Sequence, residues 1–264
     1  MPAEPGKWGD LSVRVASGVV MAVIGLIGIL LGGIWFEMLV VFVTAVMVWE
    51  LAMMSAPDRT TPAMLLAVLG ASVLSGGLIS GQGWSLFLFA VVPILGALTL
   101  PRNKLIFLIF ALYVQLAGWG LIHFRADNGL LWLSWLLAVV IVTDLAGYFA
   151  GRKFGGPKFW PAVSPKKTWS GTVAGWVGAA VLGLGFAIGT KAGLSLIVLS
   201  VAVSFASQIG DIAESALKRF VGVKDSSTLI PGHGGVFDRF DAVLGATVFM
   251  LFVTFVLGLP GPQF

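Results

Sequence analysis

Between Ser215 and Asp241 the chain reads SALKRFVGVKDSSTLIPGHGGVFDRFD, a polar, glycine-broken block of 27 residues in an otherwise apolar protein. Lys218, Arg219, Lys224 and Arg239 stand among Asp225, Asp238 and Asp241. Charge placed in a membrane-embedded chain is costly and marks a functional site by default. Bases and acids crowded at the edge of an apolar span suit a phosphorylated anion at a membrane surface. The bases meet phosphate, and the carboxylates meet a hard cation that phosphate can share.

Spacing sorts these residues. Asp211, Glu214, Ser215 and Lys218 fall at i, i+3, i+4 and i+7, one stripe of a helix. Glu214 has Lys218 one turn along, so an internal ion pair is its simplest use; Asp211 has no base at that spacing. Asp238 and Asp241 open the last apolar span, where the helix dipole alone favours acids. Before them lies Pro231-Gly232-His233-Gly234-Gly235, whose glycines let the backbone turn tightly and present N–H groups to an anion. Mg²⁺ typically takes one or two carboxylates and completes its shell with substrate phosphate. Asp211 and Asp238 are the leading ligands, with Asp144 and Asp241 also open. His233, with His123 the only other histidine, makes no zinc site; it is expected to hydrogen-bond phosphate, against a purely structural role in its loop.

A second polar stretch, SPKKTWSG at 164–171, directly precedes an apolar span. Lys166 and Lys167 serve there either as ordinary cytoplasmic-side charges or as phosphate ligands. Ser164, Thr168 and Ser170 add hydroxyls at a helix entrance, a place suited to phosphate. Ser164-x-x-Lys167 also fits a serine acyl-enzyme pattern, but its partner motifs are missing. A GxxxxGK[ST] phosphate loop is absent as well.

The elements that must position these groups follow from composition. Hydrophobic residues make up 58% and charged residues 11% of the 264, against about 25% charge in ordinary globular chains. With a mean hydropathy of +1.00, the expected fold is an all-α polytopic membrane protein, one integral-membrane catalytic domain over 1–264. Zero Cys excludes disulfides, thiolate metal sites and cysteine nucleophiles. The pI of 9.6 comes from short juxtamembrane loops, which favours anionic lipid or nucleotide phosphate over nucleic acid as partner. The apolar run Val15 to Leu31 is long for a signal-peptide core and is read as a retained first span.

A crossing helix needs roughly 20 apolar residues. Nine segments qualify: 15–32, 34–54, 62–80, 84–100, 105–123, 129–150, 171–190, 193–217 and 240–259, with a break expected at Arg125 to Asn128 and two longer connections, 151–170 and 218–239. With the N-terminus cytoplasmic and the C-terminus outside, only Arg125 and Lys191 of the 16 basic residues face outward, as the positive-inside rule asks. Glu50, Asp144 and Asp211 then lie about 15–17 residues into inward-running spans, roughly 23–26 Å along the helix. They share the cytoplasmic boundary with Asp238, Asp241 and both basic loops. Residues 1–142 serve mainly as membrane scaffold, and 143–241 carry the motifs. Gly28-x-x-x-Gly32, Gly171-x-x-x-Gly175 and Gly185-x-x-x-Gly189 permit close helix contact, compatible with a homodimer, and the ten Trp residues resemble an interfacial belt.

The block S-x-x-K-R-x(4)-K-D…P-G-H-G-G-V-x-D-R-F-D at 215–241 resembles the signature of phosphatidate cytidylyltransferases, the CDP-diacylglycerol synthases. QIGDIAES at 208–215, TDLAGYFAGRKFG at 143–155 and SPKKTWSG resemble the family's other motifs, in the same order. The resemblance implies transfer of a cytidylyl group from CTP to phosphatidate, giving CDP-diacylglycerol and pyrophosphate, with Mg²⁺ and room for a second metal ion. It implies metal binding by Asp211 and Asp238, with Asp144 a third candidate. Catalytic assignments are Lys218, Arg219, Lys224, Asp225, His233, Arg239 and Asp241. Phosphate-binding assignments are Ser164, Lys166, Lys167, Thr168, Ser215, Gly234 and Gly235. Ser170 stands where many relatives carry Glu, and Ala242 where many carry Ser, so no carboxylate acts at 170. A bacterial-type inner membrane with the site facing the cytoplasm is the expected location.

Two other functions compete. A kinase or cytidylyltransferase acting on another lipid or polyprenyl phosphate would use the same charges, and nucleotide preference separates the kinase. An ion-coupled transporter would explain intramembrane acids, but transporters place substrate near the midplane between internal repeats. This chain has no internal repeat, and its charges gather at one face.

Overall fold

A computed structural model describes residues 7–80, 83–190 and 192–256. Their elements are α1 (Lys7–Leu31), α2 (Gly33–Ser55), α3 (Thr60–Ser80), a 3₁₀ helix (Gly83–Ala90), α4 (Val91–Thr99), α5 (Lys104–Phe154), β1 (Lys158–Trp160), β2 (Ser164–Thr168), α6 (Trp169–Thr190), α7 (Ser195–Val221), α8 (Phe237–Leu251) and a π-helical turn (Phe252–Val256). Among the described residues, six helices are long and apolar enough to cross a membrane: Leu11–Leu31, Gly33–Ser55, Thr60–Ile79, Lys104–Phe154, Trp169–Thr190 and Ser195–Val221. The chain is an all-α integral membrane protein apart from one small hairpin.

Several element ends differ from expectation, each for a local reason. The break placed at Arg125–Asn128 is helical; the interruption comes at Gly129, whose φ of 78° and ψ of −176° only glycine adopts easily. α5 is therefore two helices joined across a kink at Gly129, 51 residues together. The segment 84–100 begins as 3₁₀ and becomes α-helical only at Val91. The connection 151–170 was expected to be loop, but β1 and β2 pair antiparallel across it, Lys158 opposite Thr168 and Trp160 opposite Ser164. Lys191 and the end of the 240–259 span lie outside the described residues.

The chain divides into two compact units. The first comprises Met1–Gly118 and Val221–Arg239; the second comprises Trp119–Phe220 and Phe240–Phe264. In the first unit α2 packs along α3, with Val48, Leu51, Leu74, Phe89 and Phe107 fully buried. α1 rests on α2 at Gly28, where a Cβ would lie 2.5 Å from Leu39 Cδ2. Its other faces leave Val15, Val19, Leu26 and Leu30 exposed, a surface suited to lipid.

The second unit is stitched by small residues and buried hydroxyls. α5 meets α6 where a Cβ on Gly171 would stand 2.6 Å from the Gly147 carbonyl. Trp135 Nε1 donates to Ser200 Oγ at 3.0 Å, and Thr143 Oγ1 to Ser204 Oγ at 2.8 Å, pinning α5 to α7. α7 and α8 cross at Gly210 and Gly245, where a Cβ on Gly210 would run into the Asp241 carbonyl. By contrast, among the described residues a Cβ built on Gly185 or Gly189 would meet nothing within 4 Å.

Candidate active site

The helix crossings of the second unit bring acids from three helices together. Asp144 comes from α5, Asp211 from α7 and Asp241 from the first turns of α8, where the glycine crossing sets it beside α7. Asp241 lies within electrostatic reach of both Asp211 and Asp144. The base that answers them comes from the hairpin: Lys167 Nζ sits 2.6 Å from Asp211 Oδ2. Ser215, one turn after Asp211, donates to Asp211 Oδ1 at 3.4 Å.

Asp144, Asp211 and Lys167 face a cavity of about 570 Å³, within the range of small-molecule sites. Asp144 and Asp211 line it together with Lys158, Lys166, Lys167 and Arg152; Phe159, Phe205 and Ile209 supply apolar wall. The hairpin is what carries all three of those lysines, and its exit is capped by the residue that ends it. Thr168 Oγ1 accepts the Gly171 N–H at 3.2 Å, a side-chain N-cap on α6. Gln208, also on the cavity wall, is fixed at both ends: its Oε1 accepts from Trp176 Nε1 at 3.0 Å, and its Nε2 donates to the Thr172 carbonyl at 3.2 Å.

Among the remaining residues of the 215–241 block, several turn out to hold one another. Lys218 Nζ pairs with Glu214 at 2.7 Å, the ion pair their spacing allows. Glu214 is buried, so this base answers a desolvated acid. Arg219, Lys224 and Asp225 are exposed. Arg239 donates through Nε and one terminal nitrogen to the His233 carbonyl, at 3.0 and 2.7 Å, closing the glycine-rich turn. Asp238 Oδ2 accepts from Ser226 N at 2.9 Å, Ser226 Oγ at 3.0 Å and Gly235 N at 2.7 Å.

The glycine-rich loop turns as expected, with Gly232 at φ 74° and Gly234 at φ 83°. Its amides, however, meet the protein's own acceptors. His233 N–H goes to the Ile230 carbonyl and Gly235 N–H to Asp238. The N–H groups of Val236 and Phe237 go to the carboxylate of Glu50 on α2, at 2.8 and 2.7 Å. His233 is tethered as well: its Nδ1 lies 2.8 Å from Ser17 Oγ of α1, and that hydroxyl is 2.9 Å from the Pro231 carbonyl. A hydroxyl that donates to the carbonyl accepts from Nδ1, which leaves Nε2 without a proton in the neutral ring. Glu50 and Ser17 carried no motif; a lone buried acid was the only trace either left in the sequence.

A family model, the Cytidylyltransferase family, matches residues 12–257. The chain belongs to the cytidylyltransferase family. It is 35% identical over 248 residues to the phosphatidate cytidylyltransferase of Brucella suis biovar 1 (strain 1330), covering 91% of this chain and 92% of that protein. It is 32% identical over 266 residues to the enzyme of that name from Bacillus subtilis (strain 168), covering 92% and 97%. A Haemophilus influenzae protein of the same name is 40% identical over 167 residues, 59% of this chain and 58% of its own length. The first two matches run through both halves, so the family likeness extends well beyond the 143–241 motifs.

Proposed function

We propose that this protein transfers the cytidylyl group of CTP to phosphatidate, forming CDP-diacylglycerol and pyrophosphate. The observation that carries the proposal is the cavity of the second unit, where two carboxylates and three lysines line one space. The phosphatidate cytidylyltransferases matched over nine-tenths of the chain point the same way. A phosphate oxygen of phosphatidate attacks the α-phosphorus of CTP. The bond from that phosphorus to the oxygen bridging the β-phosphate breaks, and pyrophosphate leaves with the electron pair. The attacking oxygen is already ionised, so no general base is needed. Catalysis then consists of orienting two polyanions and neutralising charge as it moves to the leaving group. Lys158, Lys166 and Lys167 supply cations on the cavity wall, with Ser164, Thr168 and Ser215 near the hairpin and the acids. Lys218, Arg219, Lys224 and Arg239 of the signature add positive charge, Lys218 sharing its own with Glu214.

The oxygen donors of Asp144, Asp211 and Asp241 are those that Mg²⁺ takes. Among the described residues no group of three His, Cys, Asp or Glu side chains forms a metal cage, which fits an ion completed by phosphate and water. Asp211 and Asp144 would hold Mg²⁺, which when bound would supply charge neutralisation on the triphosphate. The family signature also assigns a ligand role to Asp238, whose Oδ2 accepts three hydrogen bonds from its own loop. Asp225, His233, Gly234 and Gly235 belong to the signature loop and are proposed to shape its phosphate-facing surface.

The proposed topology has nine crossings with the N-terminus cytoplasmic and the C-terminus outside, in a bacterial-type inner membrane, with phosphatidate entering sideways from the inner leaflet. The two helices of α5 supply two of the nine crossings, and a homodimer remains part of the proposal. The test is product identity. Purified protein in detergent with CTP, phosphatidate and Mg²⁺ is expected to yield CDP-diacylglycerol and pyrophosphate in equal amounts by mass spectrometry. A phosphorylated lipid with CDP as the second product would instead identify a kinase.

A further inference from the structure

Glu50 is fully buried in α2, and no motif or mechanism discussed so far uses it. Every contact at its carboxylate is a donor. Oε1 accepts from Ser227 Oγ at 2.6 Å and from Val236 N at 2.8 Å. Oε2 accepts from Phe237 N at 2.7 Å and from Ser226 Oγ at 3.3 Å. Phe237 opens α8 and Val236 directly precedes it, so these are amides at a helix N-terminus, which the helix itself cannot satisfy. Gly235 completes the enclosure, because a Cβ there would collide with Ser226 Oγ and with Glu50 Oε1. A negative charge placed at the positive end of α8 is favourable, and a buried carboxylate is tolerated when it receives charge-assisted hydrogen bonds.

We infer that Glu50 is a positioning residue for the cytidylyl transfer: its ionised carboxylate is the internal anion around which the loop carrying Lys224, His233, Asp238 and Arg239 is folded. The inference rests on the cytidylyltransferase reading for its activity arm only. The carboxylate form is required, and hydrogen-bond arithmetic shows why. Each oxygen receives one backbone N–H, and a backbone amide cannot reverse its polarity. A glutamine in either flip therefore sets its NH₂ against the N–H of Val236 or Phe237. Ser226 shares its hydroxyl between Glu50 Oε2 and Asp238 Oδ2, at 3.3 and 3.0 Å, which couples Glu50 to a residue of the signature.

Glu50→Gln and Glu50→Asp, made in the full chain, separate charge from shape. Glu50→Gln keeps the volume and loses an acceptor; Glu50→Asp keeps the charge and loses a methylene. A displacement of about 1 Å at a catalytic loop costs on the order of 100-fold in rate. Glu50→Gln is therefore expected to lower kcat by about that factor with KM for CTP changed less than about 3-fold, and Glu50→Asp is expected to retain more activity than Glu50→Gln. Hydrogen exchange gives an arm independent of turnover. The Val236 and Phe237 amides should exchange at least about 10-fold faster in Glu50→Gln, while amides of α3 stay as in wild type. Equal activity of Glu50→Gln and wild type, or unchanged exchange at both amides, overturns the inference, as does Glu50→Gln outperforming Glu50→Asp, since packing alone predicts that order. Should Glu50→Gln fail to fold, Ser227→Ala removes one donor and leaves the charge. It is expected to speed exchange at Val236 several-fold, and no change there overturns the inference equally. An inactive wild-type protein would count against the transferase function and leave the exchange arm to judge Glu50.

Discussion

Lys167→Met removes the base nearest the acid cluster and should move two observables in opposite directions. Lys167 Nζ lies 2.6 Å from Asp211 Oδ2, with the two side chains 25% and 29% exposed. An exposed pair contributes up to about 1 kcal/mol, and a charge-assisted hydrogen bond about 1.5–3 kcal/mol. Partial exposure places this pair near 1–2 kcal/mol, a factor of roughly 5–30 in an equilibrium constant. Lys167 and Mg²⁺ compete for Asp211, so protein without substrate should bind Mg²⁺ more tightly by about that factor once the lysine is gone. Turnover should fall instead, by roughly 10²–10³, because a cation aimed at the transferring phosphates is lost. Titration calorimetry with Mg²⁺ and steady-state pyrophosphate release read the two effects on one preparation. Weaker Mg²⁺ binding in Lys167→Met, or unimpaired turnover, would refute the competition and with it the role given to this lysine.

Lys218→Met removes the base that pairs with buried Glu214 and should destabilise the protein by up to about 3–5 kcal/mol; adding Glu214→Met should restore much of the loss in thermal unfolding, and failure to do so would show that the pair is not a unit. Gly210→Ala places a methyl against the Asp241 carbonyl and should cost about 1–3 kcal/mol by overpacking, with turnover falling too because Asp241 shifts; an unchanged melting temperature would mean that the α7–α8 crossing yields easily. Ser17→Ala frees the His233 ring from its Nδ1 partner, a loss of about 0.5–1.5 kcal/mol. The expected result is a several-fold fall in kcat/KM and an altered His233 tautomer balance by nitrogen NMR, and an unchanged spectrum would remove Ser17 from the account.

The carboxylates of the cavity were legible because each sits in a motif and at the end of an apolar run. Asp144 in TDLAGYFAGRKFG and Asp211 in QIGDIAES also lie in the C-terminal halves of their helices. The Glu214–Lys218 pair was legible from i, i+4 spacing alone. Glu50 was visible as an acid within an apolar run, but its partners are amides 186 and 187 residues away. A backbone N–H leaves no mark in the side-chain sequence. The same blindness made the glycine-rich loop look open to an external anion when several of its amides serve Glu50, Asp238 and Ile230. The hairpin escaped notice because SPKKT begins with Ser-Pro and carries two adjacent lysines, without the alternation that marks a strand. Arg125 to Asn128 looked like a loop because it is polar; those residues continue the helix, and the interruption waits for Gly129.

The most direct test of the central claim compares wild type with Asp211→Asn for Mg²⁺-dependent pyrophosphate release from CTP, with and without phosphatidate. Wild type should release pyrophosphate only when both substrates are present and lose the activity on chelation. Asp211→Asn, folded and inserted as wild type, should release none. Full activity in Asp211→Asn, or release from wild type without phosphatidate, would contradict the account.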